Sequence, residues 1–177
     1  MARPAIKKLN IVEIEYVAHR LAQELMEYGE PIPPFNTRYP EKLESCLKTP
    51  FQTFSGKSLY QTIETKASIL FYLMIKNNPF QNGNKRVAVL TLIYFLIQNG
   101  RRLKVDNKIL YEFAKEIASS DAQKKDSAVI KIRDFIVLYS ERVDLHSLQW
   151  NTIECEILRW KNIFSLYPNR LAILSTI

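Results

Sequence analysis

Residues 69–97 read ILFYLMIKNNPFQNGNKRVAVLTLIYFLI. The flanks of this stretch, 69–75 and 87–97, are apolar nearly all round at any helical phase, and helices of that kind are buried ones. Between them, NPFQNGNKR breaks the pattern. Pro79 discourages Asn78 from continuing a helix, and Gly83 lets the backbone turn tightly or approach a ligand closely. The stretch therefore predicts two central helices of an all-α bundle joined by a polar turn, with the second helix beginning near Asn84.

The rest of the chain supplies helices to surround that pair. Asn10 and Glu13 have the spacing of a capping box, followed by Ile11, Ile14, Ala18, Leu21 and Leu25 on one face. Gly29 stops this helix, and Pro31, Pro33, Pro34 and Pro40 make 30–40 irregular. A short helix over 41–48 follows, then PFQTFSGKS, whose Thr and Phe content suits a small extended excursion or hairpin. Ser58 and Gln61 predict a cap for the first central helix, which runs to about Asn77. Asn99-Gly100 ends the second. Helices are expected over 106–119 and 121–143, the latter turning Ile132, Phe135, Tyr139 and Val143 inward. A final stripe of Ile153, Ile157, Trp160 and Phe164 is expected to pack on the bundle. Residues 1–143 thus read as one helical domain and 144–177 as a helical extension packed on it.

Composition narrows the function classes. Of 177 residues, 47% are hydrophobic and 24% charged, as in ordinary globular proteins. The longest nearly apolar run, 87–97, is too short for a bilayer, which needs about 20 residues. The opening MARPAIKK has no apolar signal core, so a cytoplasmic location is the expectation. Cys46 and Cys155 are too few for a disulfide framework, and His19 and His146 stand apart from any metal-ligand spacing. The net charge of +7 is concentrated. No acidic residue occurs between Glu64 and Asp106, whereas Lys66, Lys76, Lys85, Arg86, Arg101, Arg102 and Lys104 do. An anionic ligand is expected to meet this interval.

The turn is where that ligand fits best. The first N–H groups of a helix lack intrahelical partners, and the helix dipole places positive charge there. Lys85 and Arg86 add two formal charges, and Arg grips phosphate through paired hydrogen bonds. A Walker loop is excluded by spacing and a Rossmann loop by the absence of a preceding strand.

NPFQNGNKR at 78–86 closely resembles the signature His-Pro-Phe-x-Asp/Glu-Gly-Asn-Gly/Lys-Arg of the Fic/Doc (Fido) family. Pro79, Phe80, Gly83, Asn84 and Arg86 match, and Lys85 is one of two permitted residues. The segment 50–60 resembles the flap of the death-on-curing (Doc) branch of toxins. The resemblance covers roughly 11–119. It implies a helical domain of the Fic/Doc type that transfers a phosphoryl or nucleotidyl group from ATP to a Ser, Thr or Tyr hydroxyl of a target protein. Phe80, Gly83, Asn84, Lys85 and Arg86 would bind the nucleotide phosphates. The flap Phe51, Gln52, Thr53, Phe54, Ser55, Gly56 and Lys57 would hold the target by strand-like pairing. Lys85 favours γ-phosphoryl transfer, the kinase chemistry of the Doc branch, over AMP transfer. Elongation factor Tu is the target that branch implies, and an antitoxin protein its regulator; no membrane and no specific nucleic acid are expected.

Two departures bear on activity. Asn78 occupies the position of the family's general-base histidine, and an amide has no basic lone pair at neutral pH. Asn82 occupies the position of the carboxylate that helps to hold Mg2+, and an amide oxygen is a weaker ligand for it. Three readings follow: a Doc-like transferase weakened at Asn78, a nucleotide- or partner-binding pseudoenzyme, and a basic nucleic-acid-binding helical module. The last is disfavoured because the basic residues surround a turn rather than line one recognition helix.

Overall fold

The structure is a computed structural model that describes residues 5–25 and 31–143. The expected stop at Gly29, His146, Cys155 and the extension 144–177 lie outside the described residues. The described chain is a predominantly helical bundle with two short antiparallel strand pairs.

Helix α1 runs continuously through Ile11–Glu13, the π-type turns Ile14–His19 and Arg20–Leu25. The Asn10 side chain accepts from the Glu13 N–H at 2.9 Å, and Glu13 Oε2 accepts from the Asn10 N–H at 2.8 Å. This is the expected capping box. The wide π turns widen the buried stripe, so that His19 is buried beside Ala18 and Ala22 as well as Ile14.

After a 3-10 turn at Phe35–Thr37, helix α2 (Pro40–Lys48) leads through Thr49–Phe51 into the strands β1 (Thr53–Phe54) and β2 (Lys57–Ser58). The central helices are α3 (Ile63–Lys76) and α4 (Asn84–Gln98), with residues 66–75 and 87–97 buried throughout. They pack on each other, α1 covers α4, and α3 is covered by a later helix, α6 (Lys125–Tyr139). Phe71, Met74, Leu92, Phe95 and Leu96 are fully buried at the centre. Each such side chain contributes about 1.5–3 kcal/mol against its exposure to water.

Three expectations are corrected. Helix α3 begins at Ile63, capped by Thr62 with Thr65, and not by Ser58 with Gln61. Ser58 lies in β2, where its hydroxyl donates to the Tyr60 carbonyl at 2.8 Å. The last described helix, α6, starts at Lys125 after a 3-10 turn and stops at Tyr139. Residues 140–142 instead form β4 (Ser140–Arg142), paired with β3 (Arg101–Leu103) after α4. Val143 consequently leaves the helix, its N–H bonding to the Gly100 carbonyl at 2.9 Å. Between these strands runs α5 (Asn107–Ser119), capped by Asp106.

The acid-free interval does not form one surface. Lys66 is buried, Arg101 pairs with Glu64 at 2.9 Å, and Lys104 pairs with Glu141 at 2.8 Å, where Arg102 also docks. Lys76 donates to the carbonyls of Ala118 and Ser120 at the end of α5. Acids remote in sequence reach these bases through the fold. Among the described residues, no helix is long and apolar enough to cross a membrane.

Candidate functional site

The turn between α3 and α4 is built around its own side chains. Asn78 has φ +46°, a left-handed conformation that asparagine and histidine tolerate better than most residues. The Phe80 N–H donates to Asn84 Oδ1 at 2.9 Å, and Asn84 Nδ2 donates back to the Phe80 carbonyl at 2.7 Å. One side-chain amide thus fixes both polar groups of one loop residue. Outside this clamp, the Tyr39 N–H donates to the Pro79 carbonyl at 2.9 Å, tying the turn to the start of α2. Gly83 is the N-cap of α4 at φ +78°, so no side chain caps the helix. Val87 is the residue whose N–H reaches the Gly83 carbonyl, at 3.0 Å. The turns before it form the open, positive end of α4.

This end faces a cleft of about 620 Å³. Asn78, Gln81, Asn82, Gly83, Asn84, Lys85 and Arg86 line one side of it, with Ile75 and Lys76 from α3 and Tyr111 and Ala118 from α5. Lys85 is exposed and Arg86 half-buried. Burial pulls the Arg86 guanidinium somewhat below its ordinary range, while Tyr111 acts in the opposite direction. Arginine keeps its charge under such a perturbation. Among the described residues no Asp or Glu lines the cleft, so the arrangement suits an anion.

It does not suit a protein-held divalent cation. Asn82 Oδ1 already accepts from the Gly83 N–H at 2.6 Å, and Asn82 Nδ2 reaches the Pro31 carbonyl at 3.4 Å. The Asn82 side chain therefore serves the loop, and among the described residues the lining brings no carboxylate. Among the described residues there is no group of three His, Cys, Asp or Glu able to hold a metal.

Of the residues singled out in the sequence, Asn78 and 82–86 come together around the cleft. Phe80 turns inward and is buried. The hairpin residues 51–57 do not line the cleft; their attachment point, Lys66, lies on the first turn of α3, roughly 15 Å of helix from Lys76. Tyr111 and Ile32 were not legible as site residues, and Lys76 was read only as one member of the basic interval. Tyr111 and Ala118 arrive from a helix later in the chain, and Ile32 enters only because it packs against the space beside Gly83.

His19 is near the motif in space but behind it. Its ring packs 5.3 Å from Phe80 and 5.1 Å from Phe35, and Arg38 stacks 4.2 Å over Phe35. It is 2% exposed and does not line the cleft, so it cannot reach an acceptor hydroxyl there. Burial lowers its pKa from 6.5, outweighing a hydrogen bond to the Pro33 carbonyl and the charge of Glu15. The unfolded chain then binds a proton more readily than the folded one. Its contribution to stability is complete above about pH 6.5 and is lost as pH falls below that value toward the folded-state pKa. Urea midpoints measured between about pH 7.5 and 5.5 should fall with pH, and His19→Phe should flatten that fall. An equal slope in both proteins would remove His19 as the cause.

A glycine-capped helix start with adjacent Lys and Arg opens here into a cleft with no acidic residue among the described lining, an arrangement able to accept an anion. Comparison with family patterns matches residues 8–96 to the Fic/DOC family, and the chain belongs to that family. Its chemistry is, in general, nucleotidyl or phosphoryl transfer. The match ends within α4, so the α5 wall of the cleft lies beyond it. Neither a curated protein nor a solved structure matches the chain.

Proposed function

We propose that this chain is a Doc-like phosphotransferase, with the phosphates of ATP seated at the start of α4, whose transfer step is weakened by Asn78. The observation that carries this reading is the uncapped α4 terminus opening, with Lys85 and Arg86, into the 620 Å³ cleft. Backbone N–H groups and Arg86 would hold phosphate oxygens, and Lys85 would add a point charge. Phosphoryl transfer depends mainly on positioning and charge stabilisation, which this cradle supplies. Lys85 favours the γ-phosphoryl over the nucleotidyl group. The acceptor would be a hydroxyl on a target segment held by 51–57, with elongation factor Tu the branch's model target and an antitoxin its model regulator. Mg2+ would have to arrive with the nucleotide, since Asn82 is engaged within the loop.

A pseudoenzyme is the second reading, favoured by the same Asn78: its amide donates to the Lys76 carbonyl at 3.4 Å and offers no base. The transferase and the nucleotide-binding form of the pseudoenzyme both require nucleotide binding. ATP at about a hundred times its Kd should add about 2.7 kcal/mol to stability and raise Tm. Arg86→Gln should weaken ATP about 10- to 100-fold by removing a charge-assisted pair of hydrogen bonds. An ATP-independent Tm, with a rise on adding oligonucleotide, would replace both readings with the nucleic-acid module.

A further inference from the structure

The buried lysine of α3 has no place in the phosphate cradle. Lys66 is 6% exposed. Its ammonium donates to the Pro50 carbonyl at 2.8 Å and to Ser58 Oγ at 3.1 Å, and stands 4.6 Å over the Phe51 ring. None of these partners is a carboxylate. Burial and the nearby Lys8 both press against its charged form. An apolar side chain of similar length would avoid that cost, so the bonds the ammonium makes are what it contributes here.

Those bonds close on both ends of one hairpin. Pro50 precedes β1 and Ser58 ends β2, with Thr53 opposite Ser58 and Phe54 opposite Lys57. Ser55 at φ +49° and Gly56 at φ +74° form the two-residue turn that suits such a ribbon. Two strands of two residues each are not stable alone in water. The alternation of strand side chains sends Ser58 toward Lys66 and Phe54 to the other face, where it is 74% exposed.

We propose that Lys66 is a positioning residue: its buried ammonium staples the hairpin to α3 so that Phe54 and its neighbours are presented, preorganised, to the target segment. The role toward the target rests on the function proposed above; the staple does not. Preorganisation lowers the ordering cost of binding, so its loss should appear in the acceptor KM and not in the nucleotide KM.

The test uses the full chain carrying Asn78→His, γ-labelled ATP and bacterial lysate protein as acceptor. Lys66→Met should speed amide hydrogen exchange across 52–60 by about tenfold or more, with exchange in α4 unchanged. It should raise the apparent acceptor KM about tenfold while leaving the KM for ATP in place, and Lys66→Arg should restore much of both. Combined with Phe54→Ser, it should add little to the effect of Phe54→Ser alone, since both act through one hairpin. Unchanged exchange over 52–60, exchange raised equally in the core helices, or independent effects of the two substitutions would overturn the proposal. If the Asn78→His protein labels nothing, the target-holding role falls, and the exchange measurement alone decides the staple.

Discussion

Asn78→His should raise label transfer from γ-labelled ATP to lysate protein by about 10²–10⁴-fold, the usual worth of a positioned general base. The position can receive the change. Asn78 is exposed, lines the cleft, and has a left-handed φ of +46° that histidine also tolerates. Its amide makes one long bond, 3.4 Å, to the Lys76 carbonyl, so little stability depends on it. Tm should therefore stay within the shift expected of a surface substitution, about 0.5 kcal/mol. That separation matters, because a gain of transfer at constant Tm and constant ATP affinity isolates the proton acceptor. On the proposed reading the unaltered chain already has the cradle; an amide can orient a hydroxyl by hydrogen bonding yet cannot remove its proton. Label from the γ position would establish a weakened kinase, and label from the α position would replace that reading with AMP transfer. If neither protein transfers label while ATP still raises Tm, the pseudoenzyme reading stands instead.

The sequence exposed this site because its decisive features are local. The apolar runs on both sides of 78–86 bury α3 and α4 whatever else packs on them, and Pro79, Gly83 and the first turn of α4 specify the break within nine residues. Charge was less legible, because it is balanced across the fold. Arg101 and Lys104 look unopposed in sequence and meet Glu64 and Glu141 in space. The β3–β4 pair was missed for the same reason: three-residue strands carry almost no periodicity, and their pairing joins segments about 40 residues apart. Lys66 was read as part of a basic surface, since nothing in a sequence marks a lysine whose bonds run to a carbonyl and a hydroxyl 16 and 8 residues away. His19 was separated from the motif by some 60 residues of chain and lies against Phe80.

Gly83→Ala should be strongly destabilising, for two separable reasons. At φ +78° an alanine is held in the left-handed region, which costs about 1–2 kcal/mol. Its Cβ would also sit 2.5 Å from Ile32 Cγ1 and 2.7 Å from Cδ1, inside any permitted contact. Ile32 has little room to yield: it is 6% exposed, and its carbonyl accepts from Gln23 Nε2 at 2.9 Å, which ties the segment to α1. Overpacking of this kind costs about 1–3 kcal/mol, so the total is about 2–5 kcal/mol and Tm should fall by roughly 5–15 °C. The two parts respond differently to a second change. Ile32→Ala opens the space beside Cβ but leaves φ unchanged, so in the double variant Gly83→Ala should cost only the backbone share. The same shift bears on function, since Gly83 sets the path of the chain into α4 and hence where its N–H groups point. ATP should therefore stabilise Gly83→Ala less than the parent chain, and Ile32→Ala should recover part of that loss. A Tm for Gly83→Ala equal to the parent's would mean that the turn adjusts freely, and a cradle that adjusts freely is not the preorganised phosphate site that the proposed transfer needs.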